Sequence, residues 1–235
     1  MFTRLDSDHK HVSRRSSVYA RNVVAASQPL AAQAGVQILR NGGNAVDAAI
    51  ATAITLTVVE PTMNGIGSDA FVIVSDNHGI HGFNGSGRSP AAWTPERFAG
   101  HDNMPEHGWD TVTVPGAVDT WVQLSDRFGQ LPFEKLFDSA INYAAEGFAV
   151  SPMVASGWTR AADEYSYLEG FRTIFMPNGR APTAGETFQS EIMANTLSEI
   201  ADSRGESFYR GRLASRIVAD AARFDGALTE QDLAE

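Results

Sequence analysis

The sequence predicts an α+β fold that is rich in helices and contains one β-hairpin. Apolar residues recur at helical spacing over most of its 235 residues, which indicates helices that each bury one face. Two β-branched and aromatic runs, residues 71–75 (FVIVS) and 80–83 (IHGF), flank a four-residue turn and predict the hairpin. An apolar content of 43% and a charged content of 20% are ordinary for a globular protein.

The predicted elements begin with a short strand and a helix. Residues 22–27 (NVVAAS) form an apolar run that is typical of a buried strand. Pro29 then stands where a helix can begin, and Ser27 is a plausible N-cap. The pair Gly42-Gly43 ends this helix, because glycine adopts positive φ without a steric penalty.

A second helix follows directly. Asn44 is its predicted N-cap, and Asp47 lies in the first turn, where the helix dipole favours a negative charge. Nearly every position from 45 to 58 is apolar or small. A helix that is apolar on all sides is a buried one. After the hairpin comes a glycine-rich loop at residues 84–90 (NGSGRSP).

The remainder of the sequence predicts further helices separated by glycine and proline. Residues 164–187 contain several of these breakers and predict an irregular segment. Thr229 is a predicted cap of a final turn, with Asp232 at its third position. The predicted helices cover residues 116–128, 132–146, 152–163, 190–203 and 212–224.

Composition excludes several functions. The sequence has no cysteine, so a disulfide framework, a thiolate zinc site and a cysteine nucleophile are excluded. No two histidines have the i, i+4 spacing of a helical metal site with a third ligand in view. The net charge of −10 opposes binding to nucleic acid or to anionic membranes. No apolar run near the N-terminus resembles a signal peptide, which predicts a cytoplasmic location and leaves export open.

Three blocks, in order along the chain, resemble one family. The first is residues 27–71 (SQPLAAQAGVQILRNGGNAVDAAIATAITLTVVEPTMNGIGSDAF). The second is residues 113–152, which include VPGAVDTW, FGQLP and AAEGFAVSP. The third is residues 206–234, with FYRG and GALTEQDL. Together they resemble the large subunit of gamma-glutamyltranspeptidases and their relatives, which are N-terminal-nucleophile (Ntn) hydrolases.

The resemblance implies both a fold and an activity. It implies part of a four-layer αββα Ntn-hydrolase sandwich, with residues 1–20 as a flexible N-terminal segment and residues 21–235 as an incomplete large-subunit portion of one domain. It also implies a self-processing amide hydrolase or acyl transferase, whose threonine or serine nucleophile we expect beyond Glu235. Its partners would be a small amide substrate, γ-glutamyl or related, and the rest of the precursor or a small subunit. The resemblance implies that no metal or organic cofactor is needed. An inactive or truncated homologue, and an amidohydrolase of small non-glutamyl amides as in oxamate amidohydrolases, remain alternatives.

The candidate site residues lie in the glycine-rich loop and in the turn before the hairpin. Family enzymes hold the substrate carboxylate with an arginine in this loop, a task that suits a planar, permanently charged guanidinium. Aligned without a gap, the family's arginine position falls on Ser86, and Arg88 lies two residues later. Asp69 replaces a glycine common in the family and could pair with Arg88. We therefore predict Arg88, Ser86 and Asp69 as substrate-binding residues, and no catalytic residue within this sequence.

Overall fold

Helices and one hairpin account for most of the regular structure in the computed structural model, which describes residues 18–235. Residues 1–17, where most of the predicted flexible N-terminal segment falls, lie outside the described residues. Two short 3₁₀ segments, Trp109–Thr111 and Phe133–Phe137, join longer elements. In chain order the elements are α1 (Pro29–Arg40), α2 (Ala45–Val59), β1 (Ala70–Asp76), β2 (Gly79–Gly85), α3 (Ala117–Phe128), α4 (Asp138–Glu146), β3 (Phe148–Ala149), α5 (Pro152–Tyr165), α6 (Glu169–Phe175), β4 (Thr187–Phe188), α7 (Glu191–Ser203), α8 (Glu206–Arg210), α9 (Arg212–Arg223) and α10 (Glu230–Ala234).

The chain folds as two compact units, each assembled from two separate stretches. The first unit comprises the residues up to Gly65 together with Leu136–Leu197. The second unit comprises Ile66–Lys135 together with Ser198–Glu235. The expectation of a single domain over residues 21–235 stays a prediction. Within the described residues, no helix combines the length and the apolar character needed to cross a bilayer.

The first unit is organised around the α1–α2 pair. Helix α2 is buried on nearly all sides, as the sequence predicts. Its N-cap, Asn44, accepts hydrogen bonds from the backbone of Val46 and Asp47, while the Asp47 carboxylate accepts from the Asn44 N–H at 2.9 Å. The close approach of the two helices depends on Gly35, because a Cβ there would lie 2.4 Å from the Thr52 hydroxyl.

Two expectations at the start of the chain are wrong. Residues 22–27 form no strand, and the side chain of Val23 is 58% exposed. A strand needs a neighbour to satisfy its backbone groups, and no described strand pairs with this segment. Gln28, not Ser27, caps α1, since its side-chain oxygen accepts from the N–H groups of Leu30 and Ala31. The Ser27 hydroxyl instead donates to the Glu60 carboxylate.

Aromatic packing accounts for a helix inside residues 164–187, the segment that the sequence predicts to be irregular. Residues 169–175 form α6, whose Phe175 carbonyl accepts a hydrogen bond from the Trp158 indole at 2.9 Å. Trp158 also packs against Phe188, with ring centroids 4.7 Å apart. These contacts reach across the segment, so the breakers within it do not prevent a helix. The helix predicted over residues 132–146 begins instead as a 3₁₀ segment and becomes α-helical only at Asp138.

The second unit contains the predicted hairpin, with β1 and β2 antiparallel and joined at residues 77–78. Alternate side chains of the two strands, among them Val72, Val74 and Phe83, are half-buried. The opposite face carries Phe71, Ile73 and Ile80, which are 71%, 80% and 78% exposed. Helices α9 and α10 and the segment between them contribute a small core of Ala214, Ala221, Leu228 and Leu233, on which Trp109 and Val114 pack.

Candidate functional site

The glycine-rich loop after β2 is held by close backbone contact with the segment that precedes α3. A Cβ on Gly87 would lie 1.3 Å from the Val114 carbonyl oxygen, so only glycine fits there. One residue further on, the Arg88 carbonyl accepts a hydrogen bond from the Val114 N–H at 3.0 Å. These two contacts with Val114 hold the loop backbone at Gly87 and at Arg88.

The turn before the hairpin is attached to the same place. The Ser68 carbonyl accepts hydrogen bonds from the N–H groups of Gly116 at 3.2 Å and Ala117 at 2.9 Å. Gly116 in turn approaches the loop, because a Cβ there would lie 1.9 Å from the Gly85 carbonyl oxygen. These N–H groups belong to the start of α3, and free N–H groups at a helix start can bind anions. Here the N–H groups of Gly116 and Ala117 already donate to the Ser68 carbonyl.

Arg88 is tethered by α10. Its Nη2 donates to the Asp232 carbonyl oxygen at 3.0 Å and lies 3.0 Å from a carboxylate oxygen of Glu235. The Arg88 side chain remains 41% exposed. Its Nε and Nη1 donate no hydrogen bond to any described residue. A guanidinium carries five N–H donors, so a tethered Arg88 keeps donors for a ligand.

The structure brings the three predicted site residues together at the glycine-rich loop but does not pair Asp69 with Arg88. An Asp69 carboxylate oxygen accepts instead from the Gly87 N–H at 3.4 Å. The Ser86 hydroxyl donates to the side-chain oxygen of Asn84 at 2.7 Å, and the Ser86 N–H donates to the same oxygen at 3.0 Å. The Arg88 guanidinium pairs instead with the Asp232 carbonyl of α10 and with Glu235. Asp69 and Ser86 shape the loop from which Arg88 projects.

Asp232 belongs to this site and was missed as a site residue. Its carboxylate is buried; one oxygen accepts from the Ala91 N–H at 2.8 Å, and the other from the Thr229 N–H at 2.9 Å and the Thr229 hydroxyl at 2.6 Å. Burial by itself would raise the pKa of Asp232, but these hydrogen bonds and the charge of Arg88 outweigh it and lower the pKa. The sequence identifies the cap formed with Thr229 but not its contact with Ala91, 141 residues away.

Tyr209, from the FYRG block, holds the start of α3. Its hydroxyl donates to the Pro115 carbonyl at 2.8 Å and accepts from the Asp119 N–H at 2.9 Å. Burial raises the pKa of this phenol above its ordinary value. The second and third family-like blocks therefore meet directly in the second unit.

Metal ligands are not grouped in this part of the chain. Among residues 18–235, no three His, Asp or Glu side chains are arranged so that they could hold a metal ion. The fold and the site together describe an α+β protein in which a glycine-rich loop, held by backbone contacts, presents a partly exposed arginine side chain.

Comparison with known proteins identifies the family. The Gamma-glutamyltranspeptidase family model matches residues 31–235, and the chain belongs to this family. It is 35% identical to the Glutathione hydrolase-like YwrD proenzyme of Bacillus subtilis over 87% of this chain and 40% of that protein. It is 33% identical to the Oxamate amidohydrolase proenzyme of Klebsiella pneumoniae over 93% of this chain and 43% of that protein.

Solved structures agree with this assignment. Cephalosporin acylase from Bacillus halodurans is 47% identical with a TM-score of 0.93, over 97% of this chain and 45% of that chain. Helicobacter pylori gamma-glutamyltranspeptidase is 27% identical with a TM-score of 0.87, over 94% of this chain and 65% of that chain. The predicted fold, an α+β part of the Ntn-hydrolase sandwich, is confirmed. The chain spans less than half the length of the two curated relatives.

Proposed function

We propose that these residues form part of the large-subunit region of a self-processing gamma-glutamyltranspeptidase-type amide hydrolase or acyl transferase. Relatives that are 33–35% identical are named as proenzymes of amide-hydrolysing enzymes, which supports a catalytic protein over a non-catalytic homologue. Because the chain covers 40–43% of those relatives, the nucleophile would lie on a part of the protein outside these residues. A cytoplasmic location stays a prediction.

The observation that carries this proposal is the geometry of Arg88. The guanidinium already holds the Glu235 carboxylate at 3.0 Å on an exposed side chain, so it can hold a carboxylate in this position. Such a solvent-exposed ion pair is worth about 0–1 kcal/mol, which a better-placed ligand can exceed. A substrate carboxylate would replace Glu235 and take two parallel charge-assisted hydrogen bonds. The substrate is therefore an amide that carries a carboxylate, and a γ-glutamyl compound meets this requirement.

The exposed face of the hairpin supports a partner in the same precursor. Phe71, Ile73 and Ile80 form an apolar patch on one face of a two-stranded sheet, and each is more than 70% exposed. The outer edges of both strands pair with no other described strand. Open edges and large exposed apolar side chains favour association. We propose that the remainder of the polypeptide, or a small subunit derived from it, covers this face.

In the proposed reaction, a threonine or serine elsewhere in the precursor attacks the peptide bond before it and becomes a new N-terminal residue. Its own α-amine then serves as the general base for its hydroxyl. The acyl group of the substrate passes to that hydroxyl, and then to water or to an amine acceptor. The role of the present residues is to bind and orient the acyl portion through Arg88.

The test uses the full-length precursor with Arg88→Ala, and Arg223→Ala as the control. Arg223 is another exposed arginine of the second unit, and it pairs with Asp220 on α9. Loss of charge-assisted hydrogen bonds worth about 1.5–3 kcal/mol should raise KM for a γ-glutamyl substrate by about 10- to 150-fold. Self-cleavage, followed by intact mass, should proceed normally in both variants. Unchanged kinetics in Arg88→Ala would remove Arg88 from the site, and a precursor that never splits would contradict the activity.

A further inference from the structure

We propose that Asp232 is a positioning residue that sets the Arg88 loop in place for carboxylate binding. It acts through Arg88 and touches no substrate. The inference rests on the proposed function of Arg88, which it deepens by naming what fixes the guanidinium. Neither the fold nor the capping motif alone requires this role.

The contacts of Asp232 reach both ends of a four-residue stretch. The carbonyl oxygen of Asp232 accepts from the Arg88 guanidinium, and a carboxylate oxygen of Asp232 accepts from the Ala91 N–H. Arg88 and Ala91 are three positions apart, so a single residue of α10 fixes the side chain at one end and the backbone at the other. The preceding residue, Gly87, approaches the Val114 carbonyl so closely that a Cβ would not fit there.

The carboxylate does more than a helix cap requires. A capping box needs one acceptor for the N-cap backbone. In Asp232 a single oxygen, Oδ2, serves Thr229, and the second oxygen, Oδ1, is directed to Ala91. The residue is 2% exposed, so water does not substitute for either contact. The loop thus occupies an acceptor that a purely local cap would leave free.

Asparagine at this position creates a defined conflict. Both side-chain oxygens of Asp232 face backbone N–H donors, those of Ala91 and Thr229. An asparagine side chain offers one acceptor and one NH₂ group. Asp232→Asn must therefore point an NH₂ group at an N–H, and either the loop or the cap loses its bond.

A matched control exists in the same chain. Asp47 is the capping-box aspartate of α2, buried like Asp232, and its carboxylate accepts from the Asn44 N–H at 2.9 Å. Asp47→Asn makes the same substitution in the equivalent motif of the first unit. If Asp232 were only a cap, the two variants would behave alike in substrate binding.

A second variant removes the contact from the other side. The Trp93 N–H donates to the Pro90 carbonyl at 3.0 Å, which places Ala91 at the second position of a β-turn. Proline is favoured at that position. Ala91→Pro suits the turn and removes the N–H donated to Asp232, and its ring Cδ, which takes the place of that hydrogen, displaces the Asp232 carboxylate from the loop. It breaks the contact from the loop side while the capping residues Thr229 and Asp232 keep their identities, and it replaces Asp232→Asn if that variant does not fold.

The experiment compares these variants in the full-length enzyme with a γ-glutamyl substrate and with its α-carboxyl methyl ester. We expect Asp232→Asn and Ala91→Pro to raise KM for the carboxylate substrate about tenfold, with kcat changed less than threefold and the ester affected little. Asp47→Asn should leave KM unchanged. In an Arg88→Ala background, Asp232→Asn should add less than a twofold rise in KM.

The outcomes separate the inference from the proposed function. A raised KM in Arg88→Ala with a normal KM in both Asp232→Asn and Ala91→Pro overturns the inference and leaves the proposed function standing. A normal KM in Arg88→Ala overturns the proposed function, and the carboxylate role of Asp232 with it. Equal effects of Asp232→Asn and Asp47→Asn on KM show a capping role only, and also overturn the inference.

Discussion

Removing one oxygen atom, with Tyr209→Phe, tests how the second unit is held together. The phenol bridges the Pro115 carbonyl and the Asp119 N–H, at 2.8 Å and 2.9 Å. Phenylalanine keeps the ring and its packing against Phe208, whose centroid lies 5.2 Å away. The substitution therefore isolates two hydrogen bonds at the start of α3, the helix that borders the Arg88 loop.

The expected magnitude follows from those two bonds. Each contributes about 0.5–1.5 kcal/mol net, and water can reach part of this region, so we expect a loss of about 1–2 kcal/mol in the free energy of unfolding. For a chain of this size that corresponds to a decrease in Tm of about 2–8 °C. Burial raises the pKa of Tyr209 in the folded state above its unfolded value of 10.0. The stabilisation is thus complete below pH 10 and is lost as the pH rises above it.

The assay is thermal unfolding of wild type and variant at pH 8 and at pH 11, together with hydrogen exchange of the Asp119 amide. Tyr143→Phe is the control, because the Tyr143 hydroxyl makes no hydrogen bond to a described residue. The difference between wild type and Tyr209→Phe should shrink at pH 11, and Asp119 exchange should accelerate at pH 8. Equal Tm values for wild type and Tyr209→Phe at pH 8, or an equal decrease in Tyr143→Phe, would refute the reasoning.

Two further substitutions test a local ion pair and the loop. In the first unit, hydrogen bonds from Arg180 and from the Thr183 N–H lower the pKa of Glu186 to about 2. The ionised Glu186 carboxylate therefore stabilises the folded state fully above pH 4.5, and this contribution is lost as the pH falls towards 2. Glu186→Gln should therefore cost up to about 1 kcal/mol at pH 7 in urea unfolding and much less at pH 2.5; the same cost at both values would contradict this. Gly87→Ala should displace the loop and raise KM at least tenfold, because its Cβ would overlap the Val114 carbonyl. Gly82→Ala, with no atom within 4 Å of its Cβ, is the control, and equal KM values in the two variants would disprove the close approach.

Much of the secondary structure could be predicted because it depends on neighbours in sequence. The Asn44–Asp47 capping box, the Thr229–Asp232 box and the positive φ of Gly42 all involve residues a few positions apart. The burial of α2 and the presence of the hairpin likewise follow from local patterns of apolar residues. The family blocks extend this local information to the fold.

Contacts between distant segments decided the rest. Residues 22–27 have strand-like composition but no described strand beside them, and α6 forms because Phe175 reaches Trp158. At the site, the sequence places Arg88 in a loop, but only the folded chain brings Asp232 to it across 144 positions. Short-range spacing fixes which backbone groups a side chain can reach within one turn. An arginine side chain is long and flexible, and the acceptor that it reaches depends on how distant segments pack, which no local pattern encodes. The hydrogen bonds of Arg88 with Asp232 and Glu235 are therefore determined by the tertiary structure alone.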